Sequence, residues 1–148
     1  GVRFVMVGDG SLRPQLEAQA ERLGIGSALR MLGWRRDVPE LLRTFDVFLL
    51  TSLWEGLPRS LVEAFLSGVP AVANHVDGIG EVVQEGRNGF LVPPGNIEAM
   101  AAAVIRLLKD EPLRQTMGEQ ARLSVDDFSV EKMLKDYSDL YENISLGI

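Results

Sequence analysis

The chain has 148 residues, enough for one domain that buries about two-thirds of its surface and too few for two comfortable ones. Its 46% hydrophobic and 24% charged residues are those of a globular protein, and no apolar run approaches the ~20 residues needed to span a bilayer. Fifteen Lys and Arg against 21 Asp and Glu, a net charge of −6, argue against a nucleic-acid backbone as the main partner, zero cysteines exclude disulfides and thiolate metal sites, and a single His excludes a His-cluster zinc site.

The first predicted element is a strand over Phe4 to Val7, closed by the Gly8-Asp9-Gly10 turn, which Asp9 is expected to shape. From Ser11, read as an N-cap, Leu12, Leu16, Ala20 and Leu23 recur at helical spacing up to Gly24, read as the stop. Strand, glycine loop and helix evoke a dinucleotide fingerprint, but Arg13 stands where G-x-G-x-x-G needs its third glycine. Ala28 to Gly33 reads as a second strand, and Asp37 with Glu40 as a capping box over a helix reaching about Thr44. Asp46 to Ser52 reads as a buried third strand, because it is short, β-branched and aromatic.

Pro58 falls where the next helix opens, and proline suits the first helical position because its missing amide would have had no partner. The amides of Arg59, Ser60 and Leu61 are then expected to be free and to point outward, a seat for a phosphate. Glu55 before this corner and Glu63 within the helix are good acceptors for sugar hydroxyls. Phosphate and sugar in one ligand suggest a nucleotide or nucleotide-sugar.

Pro70 to Asn74 is the fourth predicted strand, followed by a polar loop from His75 to Glu81 with one helical turn, and Gly89 to Val92 is the fifth. Three helices close the chain: one capped by Asn96 with Ile97, Met100, Ala101, Val104, Ile105 and Leu108 on a face; one striped by Leu113, Met117 and Ala121; and one opened by Ser129. The last carries Val130, Met133, Leu134, Tyr137, Leu140, Tyr141 and Ile144, a stripe that fits core packing or a docking face better than a cofactor box. The expectation is an α/β protein, a Rossmann-like three-layer fold with a five-stranded parallel sheet in order 2-1-3-4-5. It would form a single domain, alternating strand and helix to residue 95, with a helical tail over 96–148. The Gly8–Gly10, Gly33–Arg36, Glu55–Ser60 and His75–Glu81 loops would share one rim.

Taken together, VGDG at 7–10, LGWRRDV at 32–38, SLWEGLPRSLVEA at 52–64, GVPAVANHVDGIGEVV at 68–83 and GRNGFLVPPGN at 86–96 resemble the C-terminal half of a GT-B retaining glycosyltransferase of the glycogen-synthase-like "group 1" family. The most specific shared element is the E-x7-E pair Glu55 and Glu63, flanked by EGLP, G-x-P and NG-x-LVPPG in order. The resemblance implies a donor nucleotide-sugar site. Glu55 would be the catalytic carboxylate, beside the anomeric carbon and hydroxyls of the donor sugar, supporting a charge-separated transition state. Glu63 would hold the ribose. The amides around Leu57, Arg59 and Ser60 would receive the diphosphate or sugar oxygens, with Gly56, Pro58 and Leu61 in the same donor-binding segment, Gly33, Trp34 and Arg35 would border the nucleobase, and Gly8 and Gly10 would be donor-binding as well. No metal and no cofactor are implied, since protein groups neutralise the leaving diphosphate.

Three departures bear on the carry-over: the family's first strand–helix unit, with its phosphate-reaching Arg and Lys, and its acceptor-binding N-terminal domain do not match any part of this chain, and Asp77 stands where a Gly-Gly loop is usual. The gap left by that strand is expected to close by pairing of the first and third strands; filling by a second copy would give a homodimer, with the C-terminal helices as the other route. The expected function is donor binding for sugar transfer, with no transfer by this chain alone, in a cytoplasmic protein peripheral to the membrane when part of a full-length enzyme. The alternatives are an epimerase of the same architecture acting on UDP-N-acetylglucosamine, which would want more acid–base residues than one His, and a non-catalytic assembly module. Among single residues, His75 and Glu81 are read as surface or loop-organising groups, Arg59 and Arg35 as phosphate helpers or solvated charge, and Trp54 and Trp34 as stacking or edge-covering rings.

Overall fold

The computed structural model describes residues 1–145 and divides into two compact units, Gly1–Val38 and Pro39–Ile148, a boundary that an expectation of one core does not mark. The first unit has two parallel strands, β1 (Phe4–Met6) and β2 (Leu29–Met31), paired Phe4 to Leu29 through Met6 to Met31, with α1 (Arg13–Arg22) between them. Ser11 is not the cap of α1: Leu12 holds that position with no side-chain bond, while Pro14 lies in the first turn. Gly24, at φ +69°, does end the helix, and the amides of Gly24 and Ile25 close on Glu21 and Ala20 in a Schellman turn. One helix cannot cover both faces of a two-stranded sheet. Ala20 is accordingly the single buried apolar residue of this unit, and Phe4, Val5 and Met6 are each near 40% exposed.

From α2 (Val38–Leu42) the chain enters a parallel sheet of β3 (Phe48–Leu50), β4 (Ala71–Asn74) and β5 (Gly89–Val92), in that spatial order. The expected five-stranded 2-1-3-4-5 sheet is therefore two ladders, β1-β2 and β3-β4-β5, and no pairing joins β1 to β3 among the described residues. The α/β class and the parallel pairing hold. β4 is buried at all four positions because it is the centre of three layers, and successive side chains leave opposite faces of a strand. Ala71 and Ala73 pack with Leu61 and Phe65 of α3 (Arg59–Leu66) and with Ile79 and Val82 of α4 (Ile79–Val82). Val72 faces the other way, onto Leu107 of α5 (Ile97–Lys109) and Met117 of α6 (Glu111–Leu123).

Asn96 and Asp110 cap α5 and α6 through the amides of Ala99 and Leu113. The predicted stripe of α5 is displaced: Leu107 is its fully buried residue, whereas Ile97 is 80% exposed. The turn after α3 meets α6 at two glycines, where a Cβ on Gly118 would lie 2.2 Å from the Gly68 carbonyl oxygen. Asn88 is fully buried and organises the turn before β5. Its Oδ1 accepts from the Gln84 amide, and its Nδ2 donates to the Val82 carbonyl and the Ser124 hydroxyl, so the asparagine of the NG pair is structural. After a 3-10 turn (Asp126–Phe128) comes α7 (Val130–Ser145), opened by Ser129, whose Oγ accepts from Lys132 N–H. No helix among the described residues is long and apolar enough to cross a membrane.

Candidate functional site

The corner after β3 is built by a proline, and α3 starts one position later than the sequence suggests. Pro58 is the N-cap, with extended backbone (φ −72°, ψ 100°) and no side-chain cap, and Arg59 is the first helical residue. Pro58 also corrects the amide expectation, because its carbonyl accepts from Leu61 N–H at 2.9 Å. Leu61 is a core residue with an engaged amide, leaving Arg59 and Ser60, both exposed, as the donors of the helix start. The Arg59 guanidinium has no bonded partner among the described residues.

Glu55 is half-buried in the loop before the corner, and Glu63 is half-buried in α3 beside the buried Leu61, Ala64 and Phe65. Neither carboxylate has a hydrogen bond or ion pair to the rest of the chain among the described residues. Half-buried carboxylates without internal partners are acceptors kept for something else or for water. Leu57 and Trp54 are exposed, the indole at 77%, so Trp54 does not cover a sheet edge.

The loop after β4 reaches this corner. Gly78 N–H points at the Glu55 carbonyl oxygen at 3.4 Å, and the Gly56 carbonyl oxygen lies 2.1 Å from where a Gly78 Cβ would stand. Asn74, 5% exposed, donates from Nδ2 to the Thr51 and Ser52 carbonyls at 2.9 and 3.2 Å. Neither residue stands out as a site residue in the sequence; the available signal is a lone amide closing the apolar run PAVA. Asp77 has a left-handed backbone (φ +33°), which explains why glycine would be usual there and why aspartate, one of the few side chains that visit this region, is tolerated. His75 is exposed, with its amide on the Val92 carbonyl, and Glu81 is exposed in α4.

In the first unit, the Gly8–Gly10 and Gly33–Arg36 loops are held together. Gly8 N–H donates to the Gly33 carbonyl at 2.8 Å, and Asp9 Oδ1 accepts from Gly10 N–H, as a turn-shaping aspartate should. Arg13, the residue that spoils the dinucleotide fingerprint, bonds Glu17 at 2.9 Å and the Met31 carbonyl at 3.2 Å, tying the helix start to the end of β2. Trp34 is 86% exposed.

The capping box expected of Asp37 and Glu40 is absent, because Asp37 is engaged by Arg35. Arg35 Nε donates to Asp37 Oδ1 at 2.8 Å while Nη2 donates to Oδ2, so this guanidinium is already matched to a carboxylate. The pairing holds the Asp37 carboxyl below its ordinary value and raises Arg35. A lowered folded value means the contribution to stability is present above the unfolded carboxylate value and is lost as pH falls through the lowered one. The pair is exposed, so the effect on stability is small. Arg35→Ala should therefore move the Asp37 titration midpoint, followed by carboxyl-carbon NMR, upward to the ordinary range. An unchanged midpoint would show that the pair does not persist in solution.

With this geometry in hand, comparison with known proteins is decisive. The profile of the family "Glycosyl transferases group 1" matches residues 1–124. The chain belongs to the group 1 glycosyltransferase family. It is 33% identical over 139 residues to UDP-Gal:alpha-D-GlcNAc-diphosphoundecaprenol alpha-1,3-galactosyltransferase of Escherichia coli, covering 93% of this chain and 36% of that protein. It is 37% identical over 143 residues to N-acetyl-alpha-D-glucosaminyl L-malate synthase of Bacillus anthracis, covering 96% of this chain and 38% of that one. HepE of Anabaena, solved in complex with UDP, superposes with a TM-score of 0.90 at 30% identity, over 96% of this chain and 41% of HepE. The chain thus spans less than half the length of these relatives, and it corresponds to the C-terminal domain of a group 1 glycosyltransferase.

Proposed function

We propose that residues 1–148 are the donor half of a retaining glycosyltransferase, binding a nucleoside-diphosphate sugar at the Pro58 corner. The carrying observation is the pair of half-buried carboxylates, Glu55 and Glu63, unpartnered within the described chain and set on either side of a helix start with exposed amides at Arg59 and Ser60. HepE has been solved with UDP and with UDP-glucose, which supports a uridine nucleotide as the first ligand to try. In this reading Glu63 accepts from the ribose hydroxyls, and the Arg59 and Ser60 amides with the Arg59 guanidinium receive the diphosphate. Glu55 supports the positive charge that grows on the sugar as its bond to the diphosphate breaks. For the first unit, taken by itself, the family resemblance assigns the nucleobase to Gly33, Trp34 and Arg35, with Gly8 and Gly10 as donor-binding residues, and in this reading the diphosphate is neutralised without a metal ion. The acceptor is held by a domain outside these residues, so the chain alone binds donor and transfers nothing; sugar transfer by purified residues 1–148 would overturn this.

Titration with UDP, GDP and ADP tests the binding half. Glu63→Ala should weaken binding of the preferred nucleotide about 10- to 100-fold, the effect of losing hydrogen bonds to a charged acceptor. Equal affinity in the variant would remove Glu63 from the site. A second reading is favoured by one observation: Met133, Leu134, Tyr137, Leu140 and Tyr141 of α7 are all about half exposed or more, an apolar face suited to assembly. No binding of any nucleotide, together with concentration-dependent dimerisation, would favour that module.

A further inference from the structure

We infer that Asn74 and Gly78 are positioning residues for Glu55, gripping the backbone on which that carboxylate is carried; the inference deepens the donor-site reading and rests on it. Leu53, Trp54, Gly56 and Leu57 around Glu55 are exposed, and the loop lies outside helix and strand, so its own contacts cannot fix it. Two grips come from the segment that leaves β4. Upstream of Glu55, the buried Asn74 amide bridges two successive carbonyls, Thr51 at 2.9 Å and Ser52 at 3.2 Å, where β3 gives way to the loop. Downstream, Gly78 takes the Gly56 carbonyl oxygen into the space its missing side chain leaves, 2.1 Å from an ideal Cβ position, and directs its N–H at the Glu55 carbonyl.

Gly78 has an ordinary helical backbone (φ −68°, ψ −4°), so glycine is required here for space and not for conformation. An alanine would fit its own backbone well. The neighbour that must then give way is a peptide carbonyl one residue from Glu55, not the end of a flexible side chain. The grips have a firm base, since Asn74 closes a strand buried on both faces and Gly78 leads into α4, whose Ile79 and Val82 are core. The Glu55 loop thus takes its shape from the central strand of the sheet and the segment leaving it, and a substitution in that segment can misplace the carboxylate.

Gly78→Ala, made in the full-length protein, should lower kcat for sugar transfer about 10- to 100-fold, the scale of an ångström-sized misplacement of a reacting group. In residues 1–148 the same change should leave the UDP Kd within about twofold, because Glu63 and the helix start are untouched. In a Glu55→Ala background it should lower kcat by less than about twofold, since a residue that acts through Glu55 has nothing left to act on. An equal loss in both backgrounds, or no loss in either, overturns the assignment. Asn74→Asp, nearly isosteric but turning an oxygen toward the two carbonyls, should reproduce the pattern if Gly78→Ala folds poorly. Amide chemical shifts of Glu55 and Gly56 in residues 1–148 decide the grip without any ligand: large changes in Gly78→Ala support it and unchanged shifts overturn it. Failure of the unaltered chain to bind UDP, GDP or ADP would instead overturn the donor-site reading, and the amide shifts would still decide whether Gly78 sets the loop.

Discussion

Glu55→Ala should reduce sugar transfer by the full-length protein about a thousandfold while changing the UDP affinity of residues 1–148 by less than about twofold. The size follows from the role proposed for the carboxylate. A group aimed at charge that exists only in the transition state contributes to kcat and little to ground-state binding, and removing one such preorganised group elsewhere lowers rates by about 10²- to 10³-fold. The geometry makes Glu55 suited to this role because it is half-buried and its carboxylate has no ion-pair partner among the described residues. Glu63→Ala should show the reverse pattern, a loss in nucleotide affinity with a smaller effect on the rate at saturating donor. If Glu55→Ala instead weakens UDP binding as strongly as Glu63→Ala, the two carboxylates share the nucleotide and the division of roles fails.

The parts of this arrangement that were legible in the sequence are those fixed by local chemistry. The strand expected over Asp46 to Ser52, the proline at the corner, the glycine after Leu23 and the asparagine before Ile97 each act over a few residues, and each is found within a residue or two of where it was expected, although the strand is not buried as expected, Leu49 being 44% exposed. The E-x7-E pair was read from its resemblance to the family's motif, and the roles of its two carboxylates belong to the proposal. What the sequence hid is what depends on partners that no spacing rule names. Phe4 to Val7 has the composition of a strand covered on both faces, yet its residues are 37–42% exposed, because hydrophobicity states a demand for burial and not which surface meets it. Asp37 looked like a cap because a capping box is a spacing rule, and it was lost to an arginine two residues away that offers a bidentate partner. The roles of Asn74 and Gly78 lie in contacts with residues 22 positions or so earlier in the chain, which no local pattern records.

Phe65→Ala should destabilise residues 1–148 by about 3–5 kcal/mol, lowering Tm by roughly 10 °C or more in a chain of this length. Phe65 is fully buried on α3 and lies in one core cluster with Leu61, Ala71, Ala73, Ile79, Val82 and Ala121, a cluster drawn from the helix that opens after Pro58, the strand that ends in Asn74, the short helix that follows Gly78, and α6. Among them are the helix that opens the corner, the strand that carries Asn74 and the helix that Gly78 leads into. Truncation leaves a cavity between them that a β4 of small residues cannot collapse to fill, which places the cost toward the upper end for an aromatic-to-alanine change. Leu134→Ala, on the exposed face of α7, should by contrast change Tm by no more than about a degree, because a side chain 57% exposed in the folded chain has little burial to lose. Thermal unfolding followed by circular dichroism compares the two directly. Equal effects would mean that α7 is packed in solution and that the core does not centre on β4. If Phe65→Ala remains folded at low temperature, its UDP affinity should fall together with its stability, since the helix start proposed to receive the diphosphate is only as fixed as the ring beneath it.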